Sequence, residues 1–267
     1  MSPWNRWDLH PSVVIGLVLL GGLYVLLGGL KTTRRQVGSF AGALLVLFGA
    51  LNGPLHNLSD RYLFSAHMAQ HLLLTLLFPA LLLYGTPAWV VRRILAPRWV
   101  MALGRVVTRP VVAAATFTAP IVLWHVPVFY EAALRNHNLH ILQHLVFLTS
   151  AVIMWWPVLS PVPDLPRIPY PGQMLYLFLL GLPMSITGAL ITLSDSVLYP
   201  FYAEAPRVWR DVSPLADQQI GGLLMWVVGG LALWGAMTVV WFRWSVRERN
   251  GDAERAVPLE VYAVTPR

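Results

Sequence analysis

Cysteine is absent from the 267-residue chain, which excludes disulfide frameworks, thiolate zinc or copper sites, iron–sulfur clusters and cysteine nucleophiles. Charge is scarce too: only 12% of residues are Asp, Glu, Lys or Arg, about half of what a soluble domain carries. Lysine occurs once, at Lys31. With 57% hydrophobic residues and a mean hydropathy of +0.60, this shortage excludes a soluble globular protein. The net charge of +7 would suit nucleic acid in a soluble chain, but membrane topology accounts for it below, and no nucleic-acid partner is expected. The length accommodates about seven spans of ~20 residues. The expected fold is therefore all-α: a polytopic domain of seven transmembrane helices over residues 1–246, its partner surface the lipid bilayer, then a flexible charged cytoplasmic tail over 247–267.

Seven apolar stretches supply those helices, at about 11–30, 37–56, 63–85, 109–127, 139–159, 171–194 and 217–242. The first is too long for a signal-peptide core, and Lys31, Arg34 and Arg35 follow it as a stop-transfer flank. Fourteen Lys and Arg residues fall in alternate loops and the tail, against five on the opposite side (Arg6, Arg61, Arg135, Arg207 and Arg210). The positive-inside bias thus predicts an external N-terminus and a cytoplasmic C-terminus. Pro79, Pro120 and Pro183 sit inside helices 3, 4 and 6, each freeing a carbonyl that a neighbouring helix must cover. The pairs Gly38/Gly42 and Gly49/Gly53, with Gly221, Gly222, Gly229 and Gly230, are expected to permit close helix packing.

On this topology all eight histidines lie in the outer half of the membrane or just beyond it. In "HMAQH", His67 and His71 leave one helix face a turn apart. In "HNLHILQH", His137, His140 and His144 follow an i, i+3, i+7 stripe. Two intramembrane pairs at ligand spacing are costly to keep for packing alone, so they are read as functional, whereas a lone interfacial His10 or His56 reads as a polar cap. Asp60, His125, Glu131, Asp195, Asp217 and Gln218 gather at the same level. Imidazole suits copper, zinc and iron alike; a carboxylate can ligate or orient a ring, and Met68 or Met184 offers a thioether to Cu(I). Asp217 and Gln218 read equally as a helix N-cap region.

The segments "HMAQHLLL", "WHVPVFYEAAL", "HNLHILQHLVFLTSAVIMWWP" and "DQQIGGLLMW" together resemble the cytochrome c oxidase assembly factor family of the CtaG type, associated with caa3-type oxidases. The resemblance implies a non-enzymatic, multi-pass protein of the bacterial plasma membrane, needed for maturation of a haem-copper oxidase at the copper-delivery step. Its partners would be an oxidase subunit and an extracytoplasmic copper chaperone. The family's histidine motifs fall on His67, His71, His125, His140 and His144, and its acidic-glutamine motif on Asp217, Gln218 and Gln219. Copper is then expected on His67, His71, His140 and His144, with His125 or Met68 exchanging, and with His56, Asp60, His137, Asp217 and Gln218 orienting the ligands or docking a partner. Two alternatives stand beside this. Docking without metal would use the same groups, and a b-type cytochrome would use the His pairs as axial haem ligands.

Overall fold

The computed structural model describes residue 7, residues 9–28 and residues 32–255, and these form helices and loops without a strand. Lys31 and residues 256–267 lie outside the described residues. In chain order the helices are α1 (Pro11–Gly28), α2 (Arg34–Leu51), α3 (Pro54–Arg61), α4 (Phe64–Gly85), α5 (Ala88–Ile94) and α6 (Arg98–Val107). There follow α7 (Pro110–Trp124), α8 (Pro127–Arg135), α9 (His137–Leu159), α10 (Tyr170–Thr192), α11 (Pro200–Glu204) and α12, which runs from Pro214 to Arg255. Four helices (α4, α9, α10 and α12) are long and apolar enough to cross a membrane. The bent pairs α2/α3 and α6/α7 raise that to six if each is one span, and α1 is a shorter apolar helix.

Helix bounds depart from the hydropathy reading where backbone chemistry intervenes. The stretch expected over 37–56 stops at Leu51, because Gly53 adopts φ +90 and Pro54 opens a new helix at 42° to the first. This bend swings α3, with His56 and Asp60, towards the bundle. Between the third and fourth stretches the chain forms α5 and α6, and α6 meets α7 at 77° rather than extending it. There Arg92 pairs with Asp164 at 2.7 Å, and the guanidinium holds that carboxyl below the usual carboxylate range. The last helix continues past Arg247 as far as Arg255.

The core is a mixed aromatic and aliphatic cluster joining α4, α7, α9, α10 and α12, with Phe64, Phe117, Phe147, Met154, Leu177 and Leu233 fully buried. α2 lies along the second half of α4, where Ser39 donates to the Leu81 carbonyl at 2.8 Å. α1 is outermost, tied in by Tyr24, which stacks on Phe40 and donates to the Gly85 carbonyl.

Pro79 illustrates how an intramembrane break is covered. Lacking N–H, it cannot bond Thr75 O, and α4 passes through a π turn at Leu73–Leu77 just before it. The indole of Trp155 on α9 donates to that carbonyl at 3.1 Å, which ties the two histidine-bearing helices together one turn beyond His71.

Of the α2 pairs only Gly53 is closely packed, against the Trp7 ring, and the closest approaches of helix to helix fall on other glycines. A Cβ on Gly38 or Gly49 would meet nothing within 4 Å, and on Gly42 only a leucine methyl at 3.6 Å. On Gly222 it would lie 2.7 Å from Thr192 N and 2.9 Å from Gly188 O; on Gly188, 2.7 Å from Trp226 N. α10 and α12 thus cross backbone to backbone. Gly85 approaches the Phe40 backbone in the same way.

Candidate metal centre

All eight histidines gather at one end of the bundle, and six of them, His56, His67, His71, His125, His140 and His144, are buried. α4 and α9 both run inward from this end, so each contributes an outer ring and an inner ring one turn apart. Across the gap, His67 and His140 have centroids 5.7 Å apart and His71 and His144 5.8 Å. Along each helix the spacing is 4.2 Å for His67/His71 and 4.5 Å for His140/His144. His125, capping the end of α7, places its ring 6.1 Å from that of His71.

The bend at Gly53 brings in a carboxylate. Asp60, His67 and His140 each offer a ligand atom within 4.8 Å of the other two. Asp60 Oδ2 lies 3.3 Å from His56 Nε2 and 3.7 Å from His140 Nδ1. Asp60, expected to orient ligands or dock a partner, is placed by this bend as a direct ligand candidate. Among the described residues, seven ring nitrogens on five of these histidines have no hydrogen-bond partner: His67 Nε2, His125 Nε2, His140 Nε2 and both nitrogens of His71 and His144.

Neighbouring groups set the proton position on three of the rings. His125 Nδ1 sits 2.6 Å from the Ile121 carbonyl. A carbonyl only accepts, so Nδ1 carries the proton and Nε2 presents its lone pair. Tyr202 does the same for His67. Burial holds its phenol well above the ordinary range, so the hydroxyl keeps its single proton and donates it to Ser59 O at 2.7 Å. The 3.1 Å contact with His67 Nδ1 then requires the ring to donate, leaving Nε2 as the lone pair facing Asp60 and His140. His56 is held differently: the Gln70 amide spends its N–H groups on Ala50 O at 2.6 Å and on His56 Nδ1 at 3.0 Å. Its Nε2 therefore meets His10 Nε2, 2.8 Å away, and Asp60.

A roof of α8 and α11 holds Tyr202 over the rings. Glu131 accepts from Phe201 N at 3.0 Å and pairs with Arg135, which also reaches Glu204. Tyr199 donates to the His125 carbonyl at 2.8 Å. On the other side a crevice of about 520 Å³ opens between α1, α2/α3 and α9, with His10, His56, Asp60, His137, His140 and His144 on its polar wall and leucines opposite.

Some expected site residues are elsewhere. Met68 lies 100° round α4 from His67, in the apolar core against Gly221, whose Cβ would meet Met68 Cγ at 3.2 Å. His137 is exposed at the crevice mouth. Asp217 accepts from Phe64 N at 2.7 Å, Ser65 N at 3.3 Å and the Ser65 hydroxyl, capping α4 from another helix. Gln218 braces the loop before α11 through Leu198 N at 2.6 Å and Ser196 O at 3.1 Å. Both are occupied by backbone. Tyr202 and His10 escaped the sequence reading: one sits in a short loop helix without a motif, and the other reads as a lone interfacial residue.

A family model described as cytochrome c oxidase caa3 assembly factor (Caa3_CtaG) matches residues 9–247. Curated relatives include the uncharacterized protein Mb0105 of Mycobacterium bovis and the uncharacterized protein MT0111 of Mycobacterium tuberculosis, each 29% identical over 205 residues, 70% of this chain and 31% of the relative. The uncharacterized protein ML1998 of Mycobacterium leprae is 25% identical over 258 residues, 90% of this chain and 38% of its own. The chain therefore spans about a third of the length of these relatives. No solved structure matches.

Proposed function

The chain belongs to the cytochrome c oxidase caa3 assembly factor family, and on that premise we propose that it binds copper at the buried histidine cluster and delivers it to an oxidase subunit. The observation that carries this reading is that five buried imidazoles, each with a ring nitrogen unpartnered among the described residues and one lone pair to give, gather beside one carboxylate. A buried polar atom left unengaged costs about 1–3 kcal/mol. Nitrogen lone pairs pointed at a common space meet that cost if an ion takes them, and imidazole with carboxylate suits copper.

The role is non-catalytic. Copper is cargo, and neutral imidazoles without a thiolate hold it loosely enough to exchange with a partner's ligands. In this reading seven spans, with the bent pairs counted singly, place the cluster on the extracytoplasmic side of the bacterial plasma membrane, in agreement with the arginine distribution. An extracytoplasmic copper chaperone would load it.

Metal analysis of the purified chain tests the reading. Wild type should retain copper through desalting, and His71→Ala and His144→Ala should each weaken binding at least about tenfold. Equal retention in both variants would put the ligands elsewhere. No copper in wild type would favour docking alone. Haem is less well supported: a macrocycle needs a clear slot between two axial rings, and here other imidazoles stand 4.2 and 4.5 Å from the rings that would flank it. A visible spectrum free of haem bands is expected.

Tyr202 supplies a subtler check. Tyr202→Phe removes the acceptor that fixes His67, and losing such a partner of a ligand ring costs about 10–100-fold in metal affinity. Competition with a chromogenic Cu(I) chelator should register that loss. Tyr130→Phe, whose hydroxyl is 3.4 Å from that of Tyr202, should change affinity less.

A further inference from the structure

The cluster holds more donors than one ion takes. A tetrahedral ion uses about four, whereas five buried imidazoles with unpartnered nitrogens, each with one lone pair to give, and the Asp60 carboxylate make six. Their arrangement has two levels. Because α4 and α9 enter side by side and each repeats histidine after four residues, the second pair of rings lies about 6 Å deeper than the first. The two cross-gap distances, 5.7 and 5.8 Å, are nearly equal, like successive rungs of a ladder. Each rung also has its own third donor. Asp60 serves the outer rung, within 4.8 Å of both of its imidazoles. His125 serves the inner one, its Nδ1–H already given to Ile121 O and its Nε2 free.

We propose that the chain holds two copper positions: an outer one on Asp60, His67 and His140, and an inner one on His71, His125 and His144. The inference rests on the copper reading above and refines it. The outer ligand atoms lie within 4.8 Å of one another. The inner set is centred on His71: imidazoles bound to one ion at ~2.0–2.1 Å keep their centroids within roughly 6.4 Å of each other, a limit that His71 meets with His144 at 5.8 Å and with His125 at 6.1 Å.

The two positions differ in chemistry and access. Asp60 is partly exposed and lines the crevice, so the outer position offers a negative charge where an ion arrives and leaves. The inner position is three neutral nitrogens without a carboxylate, which leaves an ion's charge uncompensated and so favours monovalent over divalent copper. Passage of Cu(I) between them needs no electron and no proton: two copper–nitrogen bonds and the copper–oxygen bond to Asp60 break at the outer rung, three copper–nitrogen bonds form at the inner, and Asp60 is left as the free carboxylate. His67 and His71, 4.2 Å apart, keep the ion in contact with imidazole throughout.

Copper stoichiometry of the purified full chain decides the matter. The chain is loaded anaerobically with Cu(I) acetonitrile complex, desalted and analysed for metal against protein. The expected result is about two ions per chain in wild type, and about one in both Asp60→Ala/His140→Ala and His125→Ala/His144→Ala. X-ray absorption should report an oxygen ligand only in the variant that keeps Asp60. One ion per chain in wild type overturns the two-position proposal while leaving the copper reading intact, and needs no variant to have folded. No ion in wild type overturns the copper reading itself. Two ions in wild type, with either double variant losing both despite an unchanged melting curve, would join all the ligands into one indivisible site and also overturn the proposal.

Discussion

Asp217→Ala is expected to cost about 3–5 kcal/mol, since a buried carboxylate accepting from charged-acceptor hydrogen bonds disappears and its donors stay buried. Three donors depend on it: Phe64 N, Ser65 N and the Ser65 hydroxyl. α4 has no side-chain cap from its own sequence, so Asp217 alone supplies a negative group to its first turn, where the helix dipole also favours one. Thermal melting in detergent should show a midpoint lower by on the order of 10 °C. His67 lies three residues beyond Phe64, so fraying of that turn releases the outer ring. Copper affinity should therefore fall in parallel with stability, although Asp217 touches no ligand ring. Asp217→Asn keeps one acceptor oxygen and should recover about half of the loss. If Asp217→Ala melted like wild type, the inter-helix cap would have no energetic role.

Gly222→Val should be comparably damaging through an unrelated cause. A Cβ at this position meets the Thr192 hydroxyl and, beside it, backbone that cannot swing away, at 2.7 Å from Thr192 N and 2.9 Å from Gly188 O. Relief requires α10 and α12 to separate, and overpacking of this kind costs about 3 kcal/mol or more. Gly188→Val approaches the same crossing from the other helix, so the double variant should be less than additive. Gly38→Ala and Gly49→Ala are the controls: nothing lies within 4 Å of either added methyl, and the gain in helix propensity makes them neutral or slightly stabilising, by up to about 1 kcal/mol. Equal melting of Gly222→Val and Gly49→Ala would refute the close crossing.

These two residues mark how far the sequence could be read. "DQQIGG" was visible as a polar and small-residue start to the last helix, and Asp217 as a cap. A linear pattern expects a cap to serve its own helix. That position is filled by Ser213, which accepts from Ala216 N at 3.1 Å, while Asp217 serves a helix more than 150 residues earlier. Small-residue spacing likewise could not tell Gly222, at a crossing, from Gly49, facing open space, because four-residue spacing defines a face and not what lies against it.

Hydropathy and the 3.6-residue period by themselves determined the helical class, most of the long helices and the pairing of His67 with His71 and His140 with His144 on single faces. These are local properties, set by what each segment must bury and where its side chains leave the helix. Tertiary structure alone decided that the two faces meet, that His125 joins them and that the bend after Leu51 delivers Asp60. It also decided that Met68 turns into the apolar core and that a tyrosine from a short surface helix sets the proton on His67. Each of those outcomes depends on contacts between segments distant in the chain, and such contacts follow from which helices pack together, which no single helix encodes.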